Sequence, residues 1–377
     1  MASYDVAVVG LGAMGAAATR ALAARGRRVV AFDRFEPGHE HGSSHGESRI
    51  IRTAYFEDPA YVPLVRLAYD AWRRLETQTG QRILTVTGVL EAGPPGSATL
   101  AGSLGSVREH DIPHERLTAA AVAARFPAYD LPSDWDVLFQ PDGGVLEPER
   151  AIRLQVAVAR SLGAVIRPMT AVRSVEPSGA GVSVRLDSGE RVEAAAAVIA
   201  AGPWMPGFAP ELAPHLQLTR QAVVWFDPAA PADVTPARMP VFLIDTGDDL
   251  IYGMPDIAGS GVKAGSHRSC GVLADGDAPR GVVTPEEIEA IGGALRRFIP
   301  GAAGRPRRTM TCVYTRTPDE HFVIGPRPGA ANIILASPCS GHGFKFAPVI
   351  GEALADLALD GGTATAIGLF DPRRLTG

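Results

Sequence analysis

The feature that most constrains the fold is a glycine-rich loop between a short apolar run and a helical stretch, close to the start of the chain. Residues 4–9 are mostly apolar and predict a buried strand, and the helical pattern continues to about Arg25. Gly26 suits the left-handed residue that follows a helix end. The loop that joins strand and helix reads Gly10-Leu11-Gly12-Ala13-Met14-Gly15.

A second apolar strand, residues 29–32, follows this unit and ends at an acid. Asp33 stands 23 residues after Gly10, close to the spacing of about 20 expected for an acid that binds a ribose hydroxyl. Glycines let the backbone approach a pyrophosphate, and a helix N-terminus attracts it. We therefore predict that Gly10, Gly12, Gly15 and Asp33 bind a dinucleotide. The alternative is a tight turn without a ligand, and the unit alone does not separate NAD from FAD.

Length and charge narrow the class of protein. A chain of 377 residues fits two domains. A net charge of −5 gives no sign of a nucleic-acid partner or of binding to an anionic membrane. No apolar run reaches the length of about 18 residues that a membrane span needs. No secretory signal is evident, and three cysteines do not suggest a disulfide scaffold. We expect a cytoplasmic protein without a metal site.

The basic residues are unusual in kind. Of the 36 lysines and arginines, only Lys263 and Lys345 are lysine. A compact ammonium differs physically from a planar guanidinium fork, so each lysine is a candidate for a site that an arginine cannot serve. The alternative is that both survive by chance on a solvated face.

The middle of the chain alternates strand and helix patterns without a repeat. A hairpin is predicted over residues 182–186 and 191–199, and it leads to Gly202, where backbone can pack closely against a cofactor. A strand is predicted over residues 83–91, and further strands lie between residues 216 and 265. Helices are predicted over residues 119–126, 149–162 and 286–298.

These patterns predict an α/β fold in which a Rossmann-type domain is interrupted by a sheet-rich second domain. The predicted cofactor domain comprises residues 1–82, 145–215 and 306–377. The predicted substrate domain comprises residues 83–144 and 216–305.

Several stretches resemble the monomeric sarcosine oxidase and N-methyltryptophan oxidase family, whose members are FAD-dependent amine oxidases. They follow the order expected for that family and span almost the whole chain. Both lysines fall inside them, which argues against chance survival. The stretches are residues 42–52 (GSSHGESRIIR), 252–255 (YGMP), 261–267 (GVKAGSH), 311–322 (TCVYTRTPDEHF) and 340–346 (SGHGFKF).

The resemblance implies the roles of individual residues. Cys312 matches the cysteine joined through sulfur to the 8α-methyl group of FAD, whereas Cys270 and Cys339 match no such position and are expected to be small buried residues. Arg49 matches an arginine against the flavin. Lys263 lies in a family motif, and we predict that it assists the reaction with O2, because a fixed, compact cation stabilises the negative charge that O2 gains beside the flavin. Arg52 and Lys345 match ligands of the substrate carboxylate. Catalytic pocket residues are Tyr252, Tyr314, His267 and His342, and further cofactor contacts are Ser43, Ser44, Gly202, Gly341, Gly343 and Lys345. For each, an ordinary core or surface role is the alternative.

The activity implied is oxidation of a small secondary amino acid, most simply a sarcosine-like one. The imine product hydrolyses to an aldehyde and a primary amino acid, and O2 becomes H2O2. An N-methyltryptophan, proline or pipecolate oxidase stays open, as do a flavin dehydrogenase with a protein partner and a non-catalytic dinucleotide-binding protein. Thr53 and the segment Ser337-Pro338-Cys339 depart from the family pattern and leave the substrate open. A monomer is expected.

Overall fold

The computed structural model of the chain describes residues 4–337 and 340–376. Within these residues the chain forms eight α-helices. They are α1 (Ala13–Ala24), α2 (Tyr61–Thr79), α3 (Ala98–His110), α4 (Ala119–Arg125), α5 (Pro148–Ser161), α6 (Met205–Phe208), α7 (Pro285–Phe298) and α8 (Ala347–Asp360).

The same residues form twenty strands. They are β1 (Tyr4–Val9), β2 (Val29–Phe32), β3 (Arg49–Ile51), β4 (Leu84–Val86), β5 (Val89–Gly93), β6 (Glu115–Leu117), β7 (Asp136–Gln140), β8 (Gly144–Leu146), β9 (Val165–Arg167), β10 (Val172–Ser178), β11 (Gly181–Leu186), β12 (Arg191–Ile199), β13 (Gln217–Phe226), β14 (Val241–Asp245), β15 (Leu250–Met254), β16 (Val262–Ser266), β17 (Val272–Leu273), β18 (Pro306–Arg316), β19 (Val323–Arg327) and β20 (Ala330–Ser337).

The first sheet is the dinucleotide-binding type that the glycine loop predicts. Its strands run in the order β10-β11-β12-β1-β2-β9, with β20 on β12 and β19 on β20. The pairs β12–β1, β1–β2, β2–β9 and β12–β20 are parallel. Parallel strands are apolar on both faces because helices cover them, and α1 packs between α5 and α8 over this sheet. The predicted α/β class, the first two strands and the β11–β12 hairpin are confirmed.

The second sheet has nine strands in the order β17-β13-β16-β15-β14-β5-β7-β6, with β18 paired to β13. Its core includes side chains from α4 and α7, and those predicted helices are confirmed. Strand β18 pairs antiparallel with the whole of β13. It therefore lies in the second sheet, although residues 306–316 fall within the predicted cofactor domain. The domain boundaries stay a prediction.

One predicted strand is wrong. Residues 83–91 form two strands, because β4 joins β8 in a small third sheet whereas β5 joins the second sheet. Gly88, between them, has φ of +75°, and a Cβ there would lie 2.5 Å from a ring carbon of Phe139. The glycine therefore allows the turn that separates the strands.

The third sheet is small and holds β3 at one edge. Its order is β3-β8-β4. It fixes Arg49 in β3 and Arg52 just beyond that strand.

Among the described residues, none of the helices combines the length and the hydropathy that a transmembrane span needs.

Candidate active site

A cavity of about 500 Å³ lies where the first sheet meets the second. It is lined by every predicted site residue except Gly15. These residues are Gly10, Gly12, Asp33, Ser43, Ser44, Arg49, Arg52, Gly202, Tyr252, Lys263, His267, Cys312, Tyr314, Gly341, His342, Gly343 and Lys345. Residues far apart in the sequence thus share one enclosed space.

The glycines of the loop have different tasks. A Cβ at Gly10, whose φ is +91°, would lie 2.4 Å from the Ala200 carbonyl oxygen, and one at Gly15 would lie 1.8 Å from the Gly10 carbonyl oxygen. Both positions therefore need glycine for packing, and Gly15 supports the loop without lining the cavity. A Cβ at Gly12 would meet only the Ser44 hydroxyl oxygen, at 3.8 Å. Gly12 thus leaves open space at the start of α1.

Asp33 ties the loop to the second strand. One carboxylate oxygen accepts the Leu11 N–H at 2.7 Å and the other accepts the Phe35 N–H at 2.8 Å. The side chain is almost fully buried and lines the cavity. Each oxygen keeps a lone pair that a ligand hydroxyl can use.

The segment after β2 brings polar side chains to the cavity and its neighbourhood. The Ser44 hydroxyl lies 3.4 Å from the Ala13 N–H at the start of α1. Within the described part of the chain, the buried Ser43 hydroxyl and His45 Nε2 have no hydrogen-bond partner. Burial, and next the charge of Arg49, lower the pKa of His45 to about 3. Buried polar atoms without partners are rare. Ser43 lines the cavity, so a polar ligand there can complete its hydrogen bonding.

Cys312 lies in β18 opposite Gln221 of β13. Its side chain is almost fully buried, packs with Val223 and Trp225 and lines the cavity. Cys270 is only half-buried, so the expectation of a buried residue is wrong there, because it lies in an irregular segment beside the second sheet. Cys339, together with Pro338, lies outside the described residues.

Lys263 is a buried cation held by backbone carbonyls. Its Nζ donates to the carbonyl oxygens of Gly46 at 2.6 Å and Ser48 at 3.0 Å. Arg49 is fixed in the same way, by the carbonyl oxygens of Ser43 and Ser48. Burial, and next the charge of Arg49, lower the pKa of Lys263 to about 7. Two cations thus stand side by side at one wall of the cavity.

Arg52 is buried between two carboxylates. Its Nη2 donates to both oxygens of Glu57, at 3.1 and 2.8 Å, and its Nη1 lies 4.0 Å from a Glu91 oxygen. The guanidinium carbon is 4.5 Å from the ring centre of Tyr55 and of Phe56. Burial opposes the charge of Arg52, yet the two carboxylates outweigh it and raise its pKa. Burial likewise opposes the charge of Glu57, but Arg52 lowers the pKa of Glu57 to about 2.

Lys345 begins a short buried hydrogen-bond chain. Its Nζ donates to the Tyr55 hydroxyl at 3.0 Å and to the His342 carbonyl oxygen at 2.9 Å. The Tyr55 hydroxyl is 2.9 Å from His342 Nδ1, and His342 Nε2 is 3.1 Å from the Glu320 carbonyl oxygen. A carbonyl only accepts, so Nε2 carries the proton and Nδ1 accepts from Tyr55. Burial lowers the pKa of His342 to about 4. Burial, and next the charge of Arg52, lower the pKa of Lys345 to about 7.

The remaining pocket residues form an aromatic wall. The ring centres of Tyr314 and His267 are 5.8 Å apart, and Tyr252 bonds to Tyr314 through its side chain. Gly341 has φ of +86°, and a Cβ there would lie 2.4 Å from the Tyr314 ring, so only glycine fits. Burial, and next the charge of Arg316, lower the pKa of His267.

Sequence reasoning missed four residues that contact Arg52 directly or through one partner. They are Tyr55, Glu57, Glu91 and Gln140. One signal was available, since Glu91 is a lone acid in the apolar run from Val89 to Ala92. A charge inside a buried strand requires a partner.

The sequence profile described as FAD dependent oxidoreductase matches residues 5–357. The chain belongs to this family of FAD-dependent oxidoreductases. The resemblance stated from the motifs is thus confirmed.

Several known proteins of this family are similar along their whole length. The chain is 39% identical to "Monomeric sarcosine oxidase" of Streptomyces avermitilis, covering 99% of this chain and 98% of that protein. It is 35% identical to "N-methyl-L-tryptophan oxidase" of Salmonella arizonae, covering 95% of each. A solved structure of NikD, described as an unusual amino acid oxidase essential for nikkomycin biosynthesis, is 27% identical with a TM-score of 0.87, covering 99% of this chain and 98% of that one.

The cavity fits the cofactor that gives the family its description. The open space at Gly12, the N-terminus of α1, which Gly12 cannot cap with a side chain, and the buried Ser43 hydroxyl suit a pyrophosphate. Asp33 suits a ribose. Gly202 has φ of +53°, with nothing within 4 Å of where a Cβ would be, so its backbone is open to a ligand. These residues would hold FAD, and Cys312 and Lys263 lie in the same cavity.

Proposed function

We propose that the protein is an oxidase of a small secondary amino acid, most simply a sarcosine-like one, with O2 as electron acceptor. The observation that carries the proposal is that Arg52 and Lys345 line the same cavity as the residues that would hold FAD. Two buried cations suit a carboxylate, and charge-assisted contacts are the strong ones. The printed names of the two curated relatives, a sarcosine oxidase and an N-methyl-L-tryptophan oxidase, support the same substrate class.

Bound FAD would supply the oxidising chemistry, accepting two electrons from the C–H bond next to the amine nitrogen. The role of the protein is to bind and orient the substrate. Arg52 and Lys345 hold the carboxylate, which fixes the distance of the amine from the cofactor. Tyr252 and Tyr314 line the cavity and provide an aromatic wall for the substrate. The substrate loses two electrons and two protons to become an imine, which water cleaves to an aldehyde and a primary amino acid.

Arg52 must change partner to bind the substrate. It is paired with Glu57, which also lines the cavity. A substrate carboxylate would take the place of the Glu57 carboxylate on the same nitrogen, so the net gain is the difference between the two pairings.

Lys345 makes binding dependent on pH. Its pKa is lowered to about 7 by burial and by Arg52, and a substrate carboxylate would favour its charged form. We therefore expect the affinity for the substrate to fall as the pH rises above 7. The neighbouring His342, with a pKa lowered to about 4, is uncharged at neutral pH. It therefore acts as a hydrogen-bond partner and adds no charge.

The bond to FAD belongs to the same proposal. Of the described cysteines, Cys312 alone lines the cavity, which supports a thioether between its sulfur and the 8α-methyl group. We also propose a monomeric, cytoplasmic enzyme; the name of the first relative supports the monomer.

The decisive experiment mixes the purified protein without oxygen with sarcosine, N-methyl-L-tryptophan, proline or pipecolate. Loss of the yellow colour, followed by H2O2 release when air is admitted, supports the oxidase. Bleaching that O2 does not reverse supports a flavin dehydrogenase. A protein that none of these amino acids bleaches would refute the proposed substrate class.

A further inference from the structure

Glu91 is a fully buried carboxylate in the middle of β5. All five residues of that strand are buried, and Glu91 has no exposed surface. A carboxylate in such a place is strongly disfavoured unless hydrogen bonds and opposite charges compensate it. The packing of β5 alone therefore does not explain why a carboxylate stands at this position.

Three groups compensate the charge of Glu91. The Ser103 hydroxyl donates to Oε2 at 2.5 Å, and Gln140 Nε2 donates to Oε1 at 3.0 Å. Arg52 Nη1 lies 4.0 Å from Oε1. Two donors and one cation all favour the ionised form. Burial raises the pKa of Glu91, and the charge of Arg52 acts in the opposite direction.

Glu91 and Glu57 face different nitrogens of the same guanidinium. Glu57 holds Nη2 and lines the cavity, whereas Glu91 lies near Nη1 and does not line it. An incoming carboxylate can therefore displace Glu57 but cannot displace Glu91. Glu91 remains beside Arg52 in both the free and the occupied pocket.

We propose that Glu91 determines how strongly the pocket binds a carboxylate, acting through Arg52 as a permanent counter-charge. The inference rests on the proposed function and deepens it. With Lys345 protonated, the positive charges of Arg52 and Lys345 are matched by the negative charges of Glu57 and Glu91.

The test replaces the charge while keeping the shape. In Glu91→Gln holoenzyme, acetate should bind roughly tenfold more tightly, because a negative charge near Arg52 is gone. Tetramethylammonium, which has no N–H and cannot be oxidised to an imine, should bind more weakly, because the same change removes an attraction for cations. Both are titrated by their effect on the visible spectrum of the flavin, without turnover. With sarcosine as substrate, KM should fall and kcat should stay within about twofold, and Arg52→Met should abolish the response to acetate.

The control variant neutralises a carboxylate that also accepts two hydrogen bonds but lies away from the cavity. Glu76 accepts the N–H groups of Ile83 and Leu84 and does not line the cavity, so Glu76→Gln should change neither titration. If Glu91→Gln does not fold, Glu91→Leu must show the same opposite movement of the two ligands. Weaker binding of both ligands would mean a purely structural role, and unchanged binding would mean an uncharged Glu91. Either result overturns the inference. If the unaltered protein oxidises no secondary amine, the proposed function fails, but these titrations still measure the coupling.

Discussion

Replacing Lys263 by methionine tests whether the buried cation serves the reaction with O2. Lys263→Met keeps most of the length of the side chain and removes its charge, its two hydrogen bonds to Gly46 and Ser48, and its contact with the Trp225 ring at 5.3 Å. Reduction of O2 creates negative charge, which a fixed cation in a buried site stabilises. The loss of one such preorganised group typically costs about 10²–10³ in rate. We expect a loss of that size in reoxidation by O2, and a change of only a few fold in anaerobic bleaching by the substrate.

The pH dependence gives a second, independent measure. Burial and Arg49 lower the pKa of Lys263 to about 7, and a lysine is charged below its pKa. The rate of the O2 reaction should therefore fall as the pH rises through about 7, and Lys263→Met should lose this dependence. Lys263→Arg, which keeps the charge, should fall between the two proteins in rate.

Stopped-flow spectroscopy separates the two half-reactions. One mixing measures bleaching by sarcosine without oxygen, and the other measures return of the colour when the reduced protein meets O2. Equal losses in both, or a loss in bleaching alone, would refute the reasoning and assign Lys263 to substrate binding or packing.

Three further outcomes are expected. Cys312→Ser should release the yellow colour on acid precipitation, whereas Cys270→Ser should keep it; colour that washes out of the unaltered protein would contradict the thioether. Arg52→Met should slow oxidation of sarcosine by at least about tenfold, since a charge-assisted hydrogen bond is worth about 1.5–3 kcal/mol, and should leave bleaching by dimethylamine nearly unchanged; equal losses would contradict its role. Gly12→Ala should fold but hold less FAD, whereas Gly15→Ala should lower the thermal unfolding temperature, because its Cβ would collide with backbone; identical melting curves would contradict this contrast.

The parts predicted correctly from the sequence depend on local patterns. The glycine loop, the first two strands and the hairpin each lie within a few tens of residues, where spacing and apolar period fix the structure. The motif residues from Arg49 to Lys345 were also brought into one cavity as the resemblance implied. Their roles stay proposals until the experiments above are done.

The parts that sequence reasoning missed depend on long-range pairing. Strand β18 belongs to the second sheet because it pairs with β13, 80 to 99 residues earlier in the chain. No local sequence pattern predicts that pairing. Residues 83–91 alternate like a single strand. The positive φ of Gly88, which the alternation does not reveal, directs the chain from the third sheet into the second. The roles of Glu57 and Glu91 depend on their contacts with Arg52, which only the tertiary fold brings between them.

The position of β18 also has a mechanical consequence. The glycine loop belongs to the first sheet and Cys312 to the second, so the proposed thioether would make the cofactor a crosslink between two halves of the protein. A crosslink restricts the unfolded chain and resists separation of the parts that it joins. The holoenzyme should then melt in a single transition in calorimetry, while Cys312→Ser protein stripped of FAD should let the two sheets lose their structure at different temperatures.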